Sequence, residues 1–261
     1  MTTQQFLTSG WTSTPAVLVL SGVALVAYLW VFGVNRRVLY LLGGLGVFLL
    51  TLTSPLNALA EGYLFSAHML QHILLLLIVP ALLLMSLPRW TSLGSRSSLI
   101  ANPFIGWMAG VGAMWLWHAR PLCNAAVSSQ LVNALQICSL LLLGAIFWRQ
   151  ILAPREEERL SPPSAVLYLF SACVACSILG ILITFSPASV CPIYAQPSAD
   201  PLGILYLVQS NWGITSDKDQ QIGGLLMWVP MCFVYLSAII AQLARWFAHP
   251  VPHAPLTEKA L

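Results

Sequence analysis

Residues 73–84 read ILLLLIVPALLL, twelve consecutive positions without a polar side chain. They lie inside a longer apolar run, 62–87, which exceeds the roughly 20 residues a helix needs to cross a bilayer. A membrane β-barrel would show instead ~10-residue stretches of alternating polarity. The continuity of this run selects the helix. Six further runs of the same kind flank it, at 15–34, 38–58, 101–118, 129–150, 163–187 and 222–246. The whole composition agrees. Of 261 residues 58% are hydrophobic and only 7% charged, against about 25% charged in an ordinary soluble domain. No soluble fold of this size has the interior to hide so many apolar side chains. A soluble enzyme, a disordered chain and a nucleic-acid binder are thereby excluded, and the net charge of +3 is too small to call for a polyanionic partner. The fold these runs predict is all-α: a polytopic membrane protein with seven transmembrane helices, one domain over 1–261, its solvent the lipid bilayer.

Charge placement predicts the orientation. The odd-to-even connections carry Arg36, Arg37, Arg89, Arg96, Arg149, Arg155 and Arg159, and the C-terminal tail adds Arg245 and Lys259. The opposite side has Arg120 and Lys218. Nine against two is a strong positive-inside bias. It puts the N-terminus outside and the C-terminus in the cytoplasm. No Lys or Arg precedes Arg36, so the first span lacks the basic start of a secretory signal and reads as retained. The one long loop, 187–221, then lies outside. Its prolines (Pro187, Pro192, Pro197, Pro201) and aromatics (Tyr194, Trp212) predict a segment packed over the mouth of the bundle.

Ionisable groups at membrane depth are costly and mark function. His68 and His72 stand one helical turn apart, on one face and about 6 Å from each other. The helical rise puts them roughly 10–16 Å below the outer start of their span. The alternative is a pair of histidines satisfied by hydrogen bonds to neighbouring helices. The spacing is that of a zinc-protease helix, but Met69 stands where such a helix needs a glutamate base. A thioether beside imidazoles suits a soft ion, Cu(I) first; the plainer role for Met69 is core packing. His118 ends the fourth span and Asp219 opens the seventh, with Met227 about 12 Å further in. His118 reads either as a further ligand or as an interfacial residue among tryptophans. Asp219 reads as a helix N-cap or as a group orienting an imidazole. Three separated spans thus deliver polar groups to one leaflet, as sites in helical bundles are built. The reading requires His72 and His118 to meet; a separation above about 15 Å would exclude shared coordination.

The six cysteines form no disulfide framework. Cys173 and Cys176, mid-span, read as packing. Cys123 and Cys191 fall in outer loops, where a disulfide is chemically allowed and their distance is open. His249 and His253 read as solvated tail residues.

Three stretches carry a family resemblance: SPLNALAEGYLFSAHMLQH at 54–72, LWH at 116–118 and DQQIGGLLMWVP at 219–230. In this order they resemble the CtaG family of caa3-type cytochrome c oxidase assembly factors, across roughly residues 15–246. The resemblance implies a multi-pass protein of the bacterial plasma membrane that helps mature a haem-copper oxidase, on its copper side, with oxidase subunits as partners. His68, Met69 and His72 fall on the family's histidine motif, His118 on its Trp-His motif, and Asp219, Gln220, Met227 and Trp228 on the last. One departure is visible. The family's pattern has proline two residues after the Trp-His histidine, where this chain has Arg120 and then Pro121; Arg120 would repel a cation if it faced the site. The function expected is non-enzymatic: copper held or relayed near the outer face by His68, His72 and His118, with Met69 and Asp219 assisting. The rivals are a haem-binding redox protein, a copper transporter and a scaffold that grips oxidase subunits.

Overall fold

The structure is a computed structural model describing residues 2–12, 14–94, 99–195, 200 and 203–248. Arg96, Pro197, Pro201, His249, His253 and Lys259 lie outside the described residues. All the regular secondary structure among the described residues is helical, with no strand among them.

Seven helices of 15 residues or more appear in the described residues. We label them α1 (Pro15–Phe32), α2 (Val38–Thr53), α3 (Phe65–Ser86), α4 (Pro103–Trp117), α5 (Gln130–Leu152), α6 (Pro162–Phe185) and α7 (Ser216–Ala248). Five of them, α1, α3, α5, α6 and α7, are long and apolar enough to cross a membrane. With 16 and 15 residues, α2 and α4 are shorter. Proline opens α1, α4 and α6, because the first turn leaves its N–H groups unpaired anyway and proline's fixed φ suits it. The run read as 38–58 breaks at Ser54, whose hydroxyl caps Leu56 N–H, and Pro55 starts a separate short helix, Pro55–Ala60. At 33 residues, α7 begins at Ser216, six residues before the apolar run at 222. An N-terminal helix, Thr3–Ser9, closed by a Thr2/Gln5 capping box, has no counterpart in the sequence reading.

The central helix is α3. Its residues 74–78 form a π-helical turn immediately before Pro80. Proline has no N–H to offer the carbonyl four residues back, and its ring crowds that carbonyl; a wider turn absorbs both faults. Around α3 the side chains of Leu76, Val111, Leu140, Phe147, Leu169 and Met231 are almost wholly buried. Outward faces remain apolar: Val26 of α1, Leu131 of α5, Leu167 of α6 and Phe233 of α7 are more than 60% exposed. An exposed apolar belt of this extent matches hydrocarbon rather than water.

Charge collects at the two ends of the bundle. At one end Glu158 accepts from Ser92 Oγ (2.6 Å) and Leu93 N (3.1 Å) and lies 3.8 Å from Arg149, while Arg155 holds the Trp90 carbonyl. At the other end Cys123 and Cys191 form a disulfide, and residues 203–214 pack against the start of α3. There Ile204, Leu207 and Val208 pack with Phe6, Ala60, Leu64 and Ala67 in a small cluster of its own. Asp200 secures it by accepting from Ile204 and Leu205 N–H.

Candidate functional site

The first turns of α3 bring His68 and His72 to one face, with ring centroids 4.5 Å apart. The end of α4 delivers His118, its ring 5.3 Å from that of His72. All three are under a tenth exposed, and Met69 is fully buried, so none of them reaches out to lipid or water. His72 and His118 therefore meet, as shared coordination requires.

Each ring has a definable role. His118 Nδ1 lies 2.5 Å from the Met114 carbonyl. A carbonyl only accepts, so Nδ1 is the nitrogen that carries hydrogen, and Nε2 turns its lone pair toward Met69 Sδ, 2.9 Å away. Two electron-pair donors thus face each other. His68 Nε2 and both nitrogens of His72 are buried without a hydrogen-bond partner of good geometry. Gln136, from α5, reaches the neighbourhood of His72, and its amide nitrogen is equally unpartnered. Unsatisfied buried polar atoms are rare in folded proteins, and four of the nine among the described residues belong to His68, His72 and Gln136. The donor types, imidazole nitrogens plus a thioether, are those a soft metal ion prefers. Among the described residues, no three His, Cys, Asp or Glu side chains form a preassembled chelating group.

Asp219 does not join the rings. Its two oxygens accept from the backbone N–H groups of Phe65 (2.6 Å) and Ser66 (2.9 Å). The residue that should cap α3 is Leu64, which has no side-chain acceptor. A carboxylate from α7 supplies the cap instead and complements the positive end of the helix. Gln220 likewise serves backbone, accepting from Val190 N–H and donating to the Ile183 and Ser186 carbonyls. Gly223 and Gly224 divide two tasks: a Cβ on Gly223 would lie 2.6 Å from the Phe65 ring, and one on Gly224 would lie 2.3 Å from Thr184 Oγ1. The glycine pair lets α7 press α3 on one side and α6 on the other. Met227 is fully buried in the core, and the Trp228 backbone sits against Gly180.

Several contributing residues escape sequence reading. Gln71 donates to the Thr51 carbonyl and to Asn57 Oδ1, and Asn57 donates to Glu61. This chain braces the helix that bears the histidines. Tyr194, from the α6–α7 connection, packs against Phe65 and His68 with ring centroids 5.9 Å from each, and its hydroxyl donates to the Ala60 carbonyl at 2.5 Å. Burial, with Asp219 and Glu61 nearby, pushes the Tyr194 phenol well above its ordinary range, so it stays protonated and keeps donating. The sequence singles out Tyr194 only as one of the aromatics of the 187–221 loop expected to pack over the bundle mouth. Arg120 is exposed and opens the helix Arg120–Ser128 with Pro121 in its first turn. Cys173 lies 3.4 Å from Cys232 of α7, and Cys176 lies 3.8 Å from the Tyr235 hydroxyl; both belong to the α6–α7 packing.

Comparison with known proteins gives one family. The model of the cytochrome c oxidase caa3 assembly factors (Caa3_CtaG) matches residues 17–249. An uncharacterized protein of Mycobacterium leprae (strain TN) is 23% identical over 208 residues, which cover 70% of this chain and 30% of that protein. The chain thus spans under a third of that relative's length. No solved structure matches. With its 54–72, 116–118 and 219–230 motifs converging at one end of an apolar helical bundle, and with the match running over most of its length, the chain belongs to the cytochrome c oxidase caa3 assembly factor family.

Proposed function

We propose that the protein holds or relays copper for cytochrome c oxidase near the outer face of the bacterial plasma membrane, and that oxidase subunits are its partners. The observation that carries this reading is the meeting of His68, His72, His118 and the Met69 sulfur in a buried cluster where His68 Nε2 and both His72 nitrogens have no hydrogen-bond partner of good geometry. Copper is the cargo. His68 and His72 bind it as Cu(I), with His118 Nε2 as third ligand, in a low-coordinate site that has the soft Met69 sulfur beside it. Few ligands mean few bonds to break, which suits handover by ligand exchange. No covalent chemistry is needed, so the role is not enzymatic. Asp219 acts at one remove, by fixing the first turn of α3.

The same reading has all seven long helices spanning the membrane, with the N-terminus outside and the C-terminus in the cytoplasm. Two features support it. Arg36, Arg37, Arg89, Arg149, Arg155, Arg159 and Arg245 belong to the cytoplasmic side by the positive-inside rule. The Cys123–Cys191 disulfide belongs to an oxidising compartment, and hence to the outer side.

The test is metal analysis and an optical spectrum of purified protein, wild type beside the variant His68→Ala with His72→Ala. Wild type is expected to carry copper without a Soret band, and the double variant to lose the copper while keeping its helical content. A Soret band would replace copper by haem. Oxidase activity that survives the double substitution in cells would leave only the scaffold.

A further inference from the structure

At the end of the bundle remote from the histidines, a cavity of about 440 Å³ opens between α2, α3, the end of α5 with the connection that follows it, and α7. Four arginines line it, each from a different element. Arg37 precedes α2, Arg89 follows α3, Arg159 precedes α6, and Arg245 lies in the last turn of α7. No carboxylate is among its lining residues. Backbone carbonyls hold two of these side chains in place: Arg37 donates to those of Met85 and Leu87, and Arg159 to those of Ala153 and Pro154. Burial, Arg245, Arg89 and Arg37 all pull the Arg159 guanidinium below its ordinary range, and Glu156 opposes them. The charges of Arg37, Arg89 and Arg159 are brought together here, and like charges repel unless an anion lies between them.

Most of the remaining wall is apolar (Leu84, Met85, Ile151, Leu152 and Ala241), with Tyr40 and with Gln242, whose Oε1 accepts from Arg245 Nη1 at 3.2 Å. Beyond it Leu39 and Leu42 of α2 and Ile240 of α7 are exposed, as lipid-facing residues are. A free inorganic anion has no use for such a wall, whereas a molecule with a phosphate head and acyl tails fits both parts. Guanidinium forks match phosphate oxygens, and basic pockets between membrane helices suit anionic headgroups.

We propose that this cavity binds the phosphate of an anionic phospholipid headgroup, with the acyl chains laid along the outer faces of α2 and α7. The site stands whether or not the histidine pocket carries copper.

The test uses the full chain purified in neutral detergent. Its thermal unfolding is followed as phosphatidylglycerol, phosphatidylcholine with the same tails, or inorganic phosphate is added, and native mass spectrometry counts retained lipid. Phosphatidylglycerol is expected to raise the unfolding temperature and to remain bound, and phosphatidylcholine to do neither. The variant Arg89→Gln with Arg245→Gln is expected to need about thirtyfold more phosphatidylglycerol for the same shift, two basic charges having been removed. If that variant does not fold, Arg89→Gln alone, at an exposed position, is expected to weaken the response in the same direction. Equal responses to the two lipids, or equal responses of wild type and variant, would overturn the proposal. Inorganic phosphate alone reproducing the full shift would overturn the lipid assignment in favour of the free ion.

Discussion

Asp219 shows how a single side chain can govern a site it does not touch. Its carboxylate holds the Phe65 and Ser66 N–H groups at the start of the histidine helix. Asp219→Ala is expected to leave two buried donors unmet and to lower stability by about 1–3 kcal/mol, with faster amide exchange at Phe65 and Ser66 as the local signature. Asp219→Asn keeps one acceptor and should lose less. Thermal unfolding beside hydrogen exchange checks both. In the sequence Asp219 looks like the cap of its own helix, because capping rules are local. The true partners lie 154 and 153 residues away, and no spacing encodes that. The histidines were easier to find: polar residues inside an apolar run stand out whatever they contact. Gln136 and Tyr194 did not stand out, since an amide near a span end and an aromatic in a loop are common.

Among elements, α3 depends on a concession to Pro80. The π turn leaves the Leu76 carbonyl directed at α5, where a Cβ on Gly144 would come within 2.3 Å of that oxygen. Replacing Gly144 by Val has to push α3 and α5 apart. We expect it to cost at least about 1–3 kcal/mol, the usual range for overpacking, measured as a lower unfolding temperature in detergent, while Gly46→Ala, whose Cβ would meet nothing within 4 Å, should be nearly neutral. Apolar runs located every long helix, because burial in lipid imposes a composition as well as a period. They missed the Ser54–Pro55 break, where the composition hardly changes. They also started α7 late: Asp217, Lys218, Asp219, Gln220 and Gln221 are helical yet polar, and a hydropathy reading stops where polarity begins.

For the molecule as a whole, the Cys123–Cys191 link ties the segment after α4 to the segment after α6 across 68 residues of sequence. Cys123→Ser with Cys191→Ser is expected to lower stability by about 2–4 kcal/mol, mainly by freeing the unfolded chain. In intact cells, an impermeant maleimide should reach these two sulfurs only after an external reductant is added; labelling without reductant would contradict the disulfide. Sequence could place both cysteines on one side of the membrane but not their distance, which depends on how the long outer segment folds back. That fold sets the Tyr194 ring against His68, three residues beyond the link. A guest approaching the imidazoles from this end has one phenol to swing aside, held by a ring contact and a bond to Ala60. From the opposite end it would have to thread a packed leucine core. If the proposed ion enters from this end, the Tyr194 ring has to give way, and the disulfide three residues before it limits how far that ring can be displaced.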